Sequence, residues 1–331
     1  MRSSGAVIGA PMSDGSLTDG GGHVPIAVTT RSGVDESVHH GSVVALDEHG
    51  HELFVAGDPS RPMYPRSALK PLQAEAMLRC GLDVGDQQLA LVCASHDGTD
   101  RHCEIVRSIL EGVGLDESAL GNVPGLPIDD RAAAAHVRSG ADPTPLRMNC
   151  SGKHAGMVAT CVANGWPVDG YLDETHPLQV AITDEVARRA GVVHHVGVDG
   201  CGAPAHHVTL RGLADAFAAI AAGAGRAPTA MRTYPDLVGG EHRFVTMLMR
   251  AVPGLFAKDG AEGVFAAAFA DGRALAVKVA DGNQRAVPVV TLAALAAMGI
   301  DERTVDVGEM SSPVLGHGRP VGSVRAVVVL G

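Results

Sequence analysis

After a polar start the chain turns apolar in three short segments, Val24 to Thr30, Val38 to Leu46 and Leu53 to Ala56. Their length and β-branched content predict strands, the last two joined by a turn at Glu48-His49-Gly50. The period then changes. Leu69, Leu72, Ala76 and Leu78 repeat at helical spacing and predict a helix that stops at Gly81. Further helices are predicted over Arg101–Val113, Lys153–Ala163, Pro177–Ala190, Val208–Ala222 and Glu241–Ala251. Strand patterning returns at Leu255–Lys258, Val264–Phe269, Ala274–Val279 and Val321–Leu330, with one helix near Val289–Met298. The run Leu89-Ala90-Leu91-Val92-Cys93 fits either a buried strand or a helix end.

Strands at both ends with helices between them lack the regular βαβ alternation of a doubly wound parallel sheet. The order predicts an α+β fold: one largely antiparallel sheet assembled from both ends of the chain, with a central helical layer. Residues 1–23 are rich in Gly, Ser and Asp and have no apolar h-region, which predicts a flexible tail before a single domain over residues 24–331. No apolar stretch reaches the roughly 18 residues needed to span a bilayer. Hydrophobic content is 46% but aromatic content only 3%, so the core must be built from Ala, Val, Leu and Met. A net charge of −11 argues against nucleic acid or an anionic membrane as the main partner.

Candidate chemistry sits in small-residue loops. Pro65-Arg66-Ser67-Ala68-Leu69-Lys70-Pro71 opens the first helix. Residues three apart share a helix face, so the Lys70 amine can approach the Ser67 hydroxyl and serve as the base a serine nucleophile needs. Pro71 lacks an N–H and places both residues in the first turn, where backbone donors favour a developing anion. Downstream, Cys93-Ala94-Ser95-His96-Asp97-Gly98-Thr99 follows an apolar run; helix capping accounts for Thr99 but not for Ser95, His96 and Asp97. Lys278 lies on a predicted strand before Gly282. Ser-x-x-Lys, a mid-chain loop serine and a late strand lysine occur in the same order in serine β-lactamases and penicillin-binding proteins, although their Ser-Asp-Asn and Lys-Thr-Gly motifs are absent.

Of six cysteines, none forms a Cys-x-x-Cys pair, and only Cys150 and Cys201 fall in glycine-rich loops. Reduced thiols and a cytoplasmic setting follow. The two loops are Asn149-Cys150-Ser151-Gly152-Lys153-His154-Ala155-Gly156-Met157 and Val198-Asp199-Gly200-Cys201-Gly202-Ala203-Pro204. They admit structural thiols, a Cys150 nucleophile with His154 as base, or a zinc site with a third ligand from Lys153, His154 or Asp199.

Together, Arg66-Ser67-Ala68-Leu69-Lys70-Pro71-Leu72-Gln73, Cys93-Ala94-Ser95-His96 and these two loops resemble the rhizobial-type, thermolabile L-asparaginases, the asparaginase II sequence family. The resemblance runs from about Val24 to Leu330 and implies a fold similar to serine β-lactamases and glutaminases, usually in a homodimer. It implies hydrolysis of asparagine to aspartate and ammonia by two Ser–Lys tandems: Ser67 with Lys70, and Ser95 with Lys278, although Lys258 lies in the same region. It further implies zinc held by Cys150, Lys153 and Cys201, with Asp199 close by; we assign that zinc to positioning substrate rather than driving the chemical step, and expect His96, His154 and Asp199 to contact the substrate. Ala266 stands where relatives often carry another cysteine, and Val245 where an acidic residue is frequent. A non-catalytic zinc- or amino-acid-binding relative is the remaining alternative, against which two nucleophile–base pairs argue.

Overall fold

The computed structural model describes residues 22–222, 225–301, 310 and 313–329. Of the tail expected over residues 1–23, only Gly22 and His23 lie among the described residues, and Leu330 of the last predicted strand lies outside them. Strands β1 (Val24–Arg31), β2 (Val34–Leu46) and β3 (Glu52–Ala56) form an antiparallel meander, followed by the short β4 (Pro62–Met63). Helices α1 (Lys70–Arg79), α2 (Asp86–Val92), α3 (Asp100–Glu111), α4 (Asp130–Arg138), α5 (Ser151–Asn164) and α6 (Pro177–Ala190) come next. A hairpin of β5 (His195–Val198) and β6 (Pro204–Thr209) precedes α7 (Leu210–Ala222), α8 (Arg226–Thr233), α9 (Pro235–Gly239) and α10 (Phe244–Ala251). The chain then returns to the sheet through β7 (Leu255–Gly260), β8 (Val264–Phe269) and β9 (Ala274–Val279). Helix α11 (Val287–Ala297) and the short strands β10 (Val314–Gly316), β11 (Arg319–Gly322) and β12 (Val324–Ala326) follow.

The main sheet runs β12-β1-β2-β9-β8-β7, with β3 also on β2, and every pair is antiparallel. It is therefore assembled from both ends of the chain, as the apolar pattern predicts. Registers Val44↔Ala276, Ala276↔Ala266 and Ala266↔Lys258 place these four residues in one row on one face. That row ends at Lys258 on β7, the edge strand. β8 is buried along its whole length, so both faces of the sheet are covered, and α7 and α11 both pack on it. Phe217 of α7 stacks on Phe256 of β7 with ring centroids 5.0 Å apart, one of few aromatic contacts in a core of small aliphatic side chains.

Helix α5 is the axis of the helical part and is buried from Ser151 to Cys161. A Cβ on Gly152 would stand 2.4 Å from the Leu91 carbonyl, so glycine is what lets α5 lie against α2. The apolar run at Leu89–Cys93 thus ends a helix rather than forming a strand. The β4-β6-β5 sheet was not expected, and it takes Val208 and Thr209 from the predicted helix over Val208–Ala222. Among the described residues no helix is long and apolar enough to cross a membrane.

Candidate active site

The Ser67 turn is built under strain. Arg66 sits at φ 54°, a left-handed conformation that costs a non-glycine residue energy, and Arg66 Nε donates to Asp199 Oδ1 at 2.7 Å. This ion pair ties the turn to the loop carrying Cys201. A 3-10 turn over Arg66–Leu69 then runs into α1, with the Lys70 N–H donating to the Ser67 carbonyl and Pro71 placed where its missing N–H is not needed. From the other side Gly260 of β7 presses on the same turn: a Cβ there would lie 2.3 Å from the Pro65 carbonyl oxygen. The Ser67 hydroxyl makes no hydrogen bond among the described residues and faces a cavity of about 590 Å³.

Ser95 follows α2 on a loop pinned at both ends. Its N–H donates to the Val238 carbonyl at 3.0 Å, and the His96 N–H donates to the Asn149 carbonyl at 3.1 Å. Two buried lysine amines converge on the Ser95 hydroxyl, Lys70 Nζ at 3.1 Å and Lys258 Nζ at 3.0 Å. Lys70 also donates to the Ala94 carbonyl, and Lys258 to the Asp259 carbonyl at 2.8 Å and to the Asp259 carboxylate. Burial pulls the Lys258 amine down to about 8, with the Lys70 and Arg243 charges adding to the effect and Asp259 opposing it. Burial opposes ionisation of Asp259, yet Lys258 and Arg243 hold its carboxyl below the usual range.

The strand lysine that meets Ser95 is therefore Lys258 and not Lys278. Both point to the same sheet face, since Lys278 lies two residues along β9 from Ala276 in the Lys258 row. Lys278, however, lies two strands in from the edge, about 10 Å away in the hydrogen-bonding direction. Its amine donates to the Glu262 carbonyl instead. Lys70 likewise hydrogen-bonds Ser95 rather than its sequence neighbour Ser67.

The expected substrate contacts are placed away from the cavity lining. His96 is fully buried: Nδ1 accepts from the Gly98 N–H at 3.1 Å, so Nε2 donates to Ser151 Oγ at 2.9 Å. It pins the Ser95 loop to the start of α5. His154 Nδ1 pairs with the Tyr171 hydroxyl at 2.7 Å, and among the described residues no hydrogen bond joins His154 to Cys150. Burial drops the His154 ring to about 4. Asp199 is engaged with Arg66.

Cys150, Lys153 and Cys201 do come together. Lys153 Nζ lies 3.2 Å from Cys201 Sγ, and Cys150 Sγ lies 2.9 Å from Asn149 Oδ1. The hydrogen bond from Cys201 drives the Cys150 thiol well below its usual value, helped by the Lys70 and Lys153 charges against burial. Burial disfavours the Lys153 ammonium, but the adjacent thiolate charge outweighs it and the net direction is upward. Among the described residues no group of three His, Cys, Asp or Glu side chains could hold a metal, so a metal here depends on Lys153. Two thiols and a buried amine suit zinc once the amine gives up its proton, and the buried His154 Nε2 adds a nitrogen beside Cys201.

The cavity is also lined by Arg243, Asp259, Gln284 and Arg285, and by Phe244 and Phe265. Arg243 donates to the Ser95 carbonyl at 2.7 Å and to the Asp259 carboxylate. Sequence patterning had singled out none of these polar residues; the only signal was Lys258-Asp259-Gly260 at a strand end, a charged pair where apolar alternation stops.

No curated protein matches this chain. Among solved structures, a β-lactamase from Mycobacterium bovis aligns at a TM-score of 0.40 and 17% identity, over 78% of this chain and 95% of its own. At that distance the likeness carries no inference. Residues 27–326, nearly the whole chain, match the family of L-asparaginase II, and the chain belongs to that family of amidohydrolases acting on linear amides.

Proposed function

We propose that this chain hydrolyses L-asparagine to aspartate and ammonia through a serine ester, with Ser67 as the nucleophile. The observation that carries the reading is the Ser95 oxygen held between two buried lysine amines, beside a cavity onto which the unbonded Ser67 hydroxyl opens. As Ser67 Oγ bonds to the amide carbon its proton passes to Lys70, which bonds Ser95 here and must turn towards Ser67 when substrate is bound. Ser95 passes that proton on to Lys258, whose amine near 8 is partly neutral at physiological pH and can accept it. The proton returns to the amide nitrogen as the carbon–nitrogen bond breaks and ammonia leaves. Water then attacks the ester carbon, its proton enters the same lysine–serine chain, and aspartate leaves with Ser67 restored.

Cys150, Lys153 and Cys201 would hold zinc, which when bound supplies Lewis acidity and a fixed positive charge for orienting the polar end of the substrate. A second reading makes Ser95 itself the nucleophile, because its hydroxyl already lies 3.0 Å from Lys258 Nζ. The test is release of ammonia and aspartate in equal amounts from asparagine, with glutamine in parallel, by the wild type and by Ser67→Ala. Turnover lost in Ser67→Ala with bound zinc unchanged supports the reading; undiminished turnover in that variant sinks it.

A further inference from the structure

Two arginines line the cavity, and they differ in one respect. Arg243 is matched by the Asp259 carboxylate, whereas no carboxylate hydrogen-bonds Arg285 among the described residues. Arg285 is instead held by neutral partners. Its Nε donates to His39 Nε2 at 2.9 Å and its Nη2 to Ser37 Oγ at 3.1 Å. An arginine Nε–H can only donate, so His39 Nε2 must accept, and the ring proton sits on Nδ1. Nδ1 then donates to Asp281 Oδ2 at 2.7 Å. His39 is buried, and Asp281 also accepts from the Asn283 N–H in the turn that leads to Arg285. Glu36 on β2 also feels the Arg285 charge but hydrogen-bonds Arg31 at 2.6 Å.

An Asp–His–Arg chain of this kind fixes a guanidinium with no carboxylate hydrogen-bonded to it among the described residues. The turn carrying it is tied to the serines: Gln284 Nε2 donates to the Gly260 carbonyl at 2.8 Å, and Gly260 presses on the Pro65–Ala68 turn that holds Ser67. Arg285 Nη1 makes no hydrogen bond among the described residues, and Arg285 lines the same cavity as Ser67. We propose that Arg285 recognises the α-carboxylate of an amino-acid amide substrate, with His39 and Asp281 as positioning residues. This deepens the amidohydrolase reading of the serine site and rests on it. It also names the substrate class: amides that carry a free carboxylate.

Kinetics on two substrates test it, L-asparagine and 3-aminopropanamide, the same amide without the α-carboxylate. In Arg285→Gln the KM for asparagine should rise roughly ten- to hundredfold, the range for a lost charge-assisted bond, with kcat nearly unchanged. Values for 3-aminopropanamide, taken as an inhibition constant if turnover is too slow, should stay within twofold. Arg285→Lys, which keeps the charge but loses the fork, should fall between, and so should His39→Gln, with melting temperatures near the wild type. Should Arg285→Gln fail to fold, Arg285→Lys decides. Unchanged preference for asparagine over 3-aminopropanamide, or a parallel loss on both, overturns the proposal. A wild type that releases no ammonia from asparagine overturns the serine reading with it, whereas wild-type turnover with insensitive variants sinks Arg285 alone.

Discussion

Replacing Lys258 by Met removes the amine that ends the proposed proton path while keeping a long apolar stem in the buried site. The chemical cost follows from its contact: Lys258 Nζ is 3.0 Å from Ser95 Oγ, and a positioned base contributes roughly 10²–10⁴-fold. The buried charge of Lys258 itself acts against stability. Burial lowers this amine from 10.5 to about 8, which sets about 3 kcal/mol against the charged folded form. That penalty is complete below pH 8, where the amine is charged in both states. It fades as pH rises from 8 towards 10.5, because there only the unfolded chain holds the proton. Lys258→Met relieves the penalty but leaves Asp259 with Arg243 as its one cationic partner, so the melting temperature at pH 7 should stay near the wild type. Wild-type kcat/KM should climb with pH through about 8 and then level, since the neutral amine is the base, and that limb should vanish in the variant. Steady-state ammonia release between pH 6 and 10 reads both effects, about two pH units either side of the amine. A folded variant within tenfold of wild-type kcat/KM, or one that keeps the limb, refutes the assignment of Lys258 as the proton acceptor.

Other outcomes follow from the same geometry. Ser95→Ala breaks the link between Lys70 and Lys258 and should lower kcat by roughly 10²-fold with KM little changed, measured by ammonia release. Cys201→Ser removes the sulfur 3.2 Å from Lys153 and should cut bound zinc well below one equivalent, read by metal analysis of the folded protein. Gly152→Ala forces a Cβ to within 2.4 Å of the Leu91 carbonyl and should cost about 1–3 kcal/mol, seen as a lower melting temperature.

The sheet was legible because its strands are short apolar runs that need no knowledge of their partners. Helix α2 was not, since Leu89 to Val92 are buried on every side and a fully buried run carries no period. The β5–β6 hairpin was hidden for the opposite reason, its histidines giving no apolar alternation. Within the site, Cys150, Lys153 and Cys201 could be matched by motif, and the structure brings them together. The pairing of lysines with serines could not be read in the same way. Lys258 and Lys278 sit in similar strand ends and on one sheet face, and only the strand order decides which of them reaches the edge. Arg66 and Asp199 pair across 133 positions, and no local pattern announces such a contact.

The central claim, a serine ester drained by a lysine–serine chain, is tested most directly by acid-quenching the enzyme during turnover of asparagine. Intact-mass and peptide mass spectrometry then locate the acyl group. An aspartyl ester on Ser67, absent from Ser67→Ala, is the predicted result. An adduct on Ser95 would reverse the roles of the two serines, and an adduct on Cys150 would contradict serine chemistry altogether.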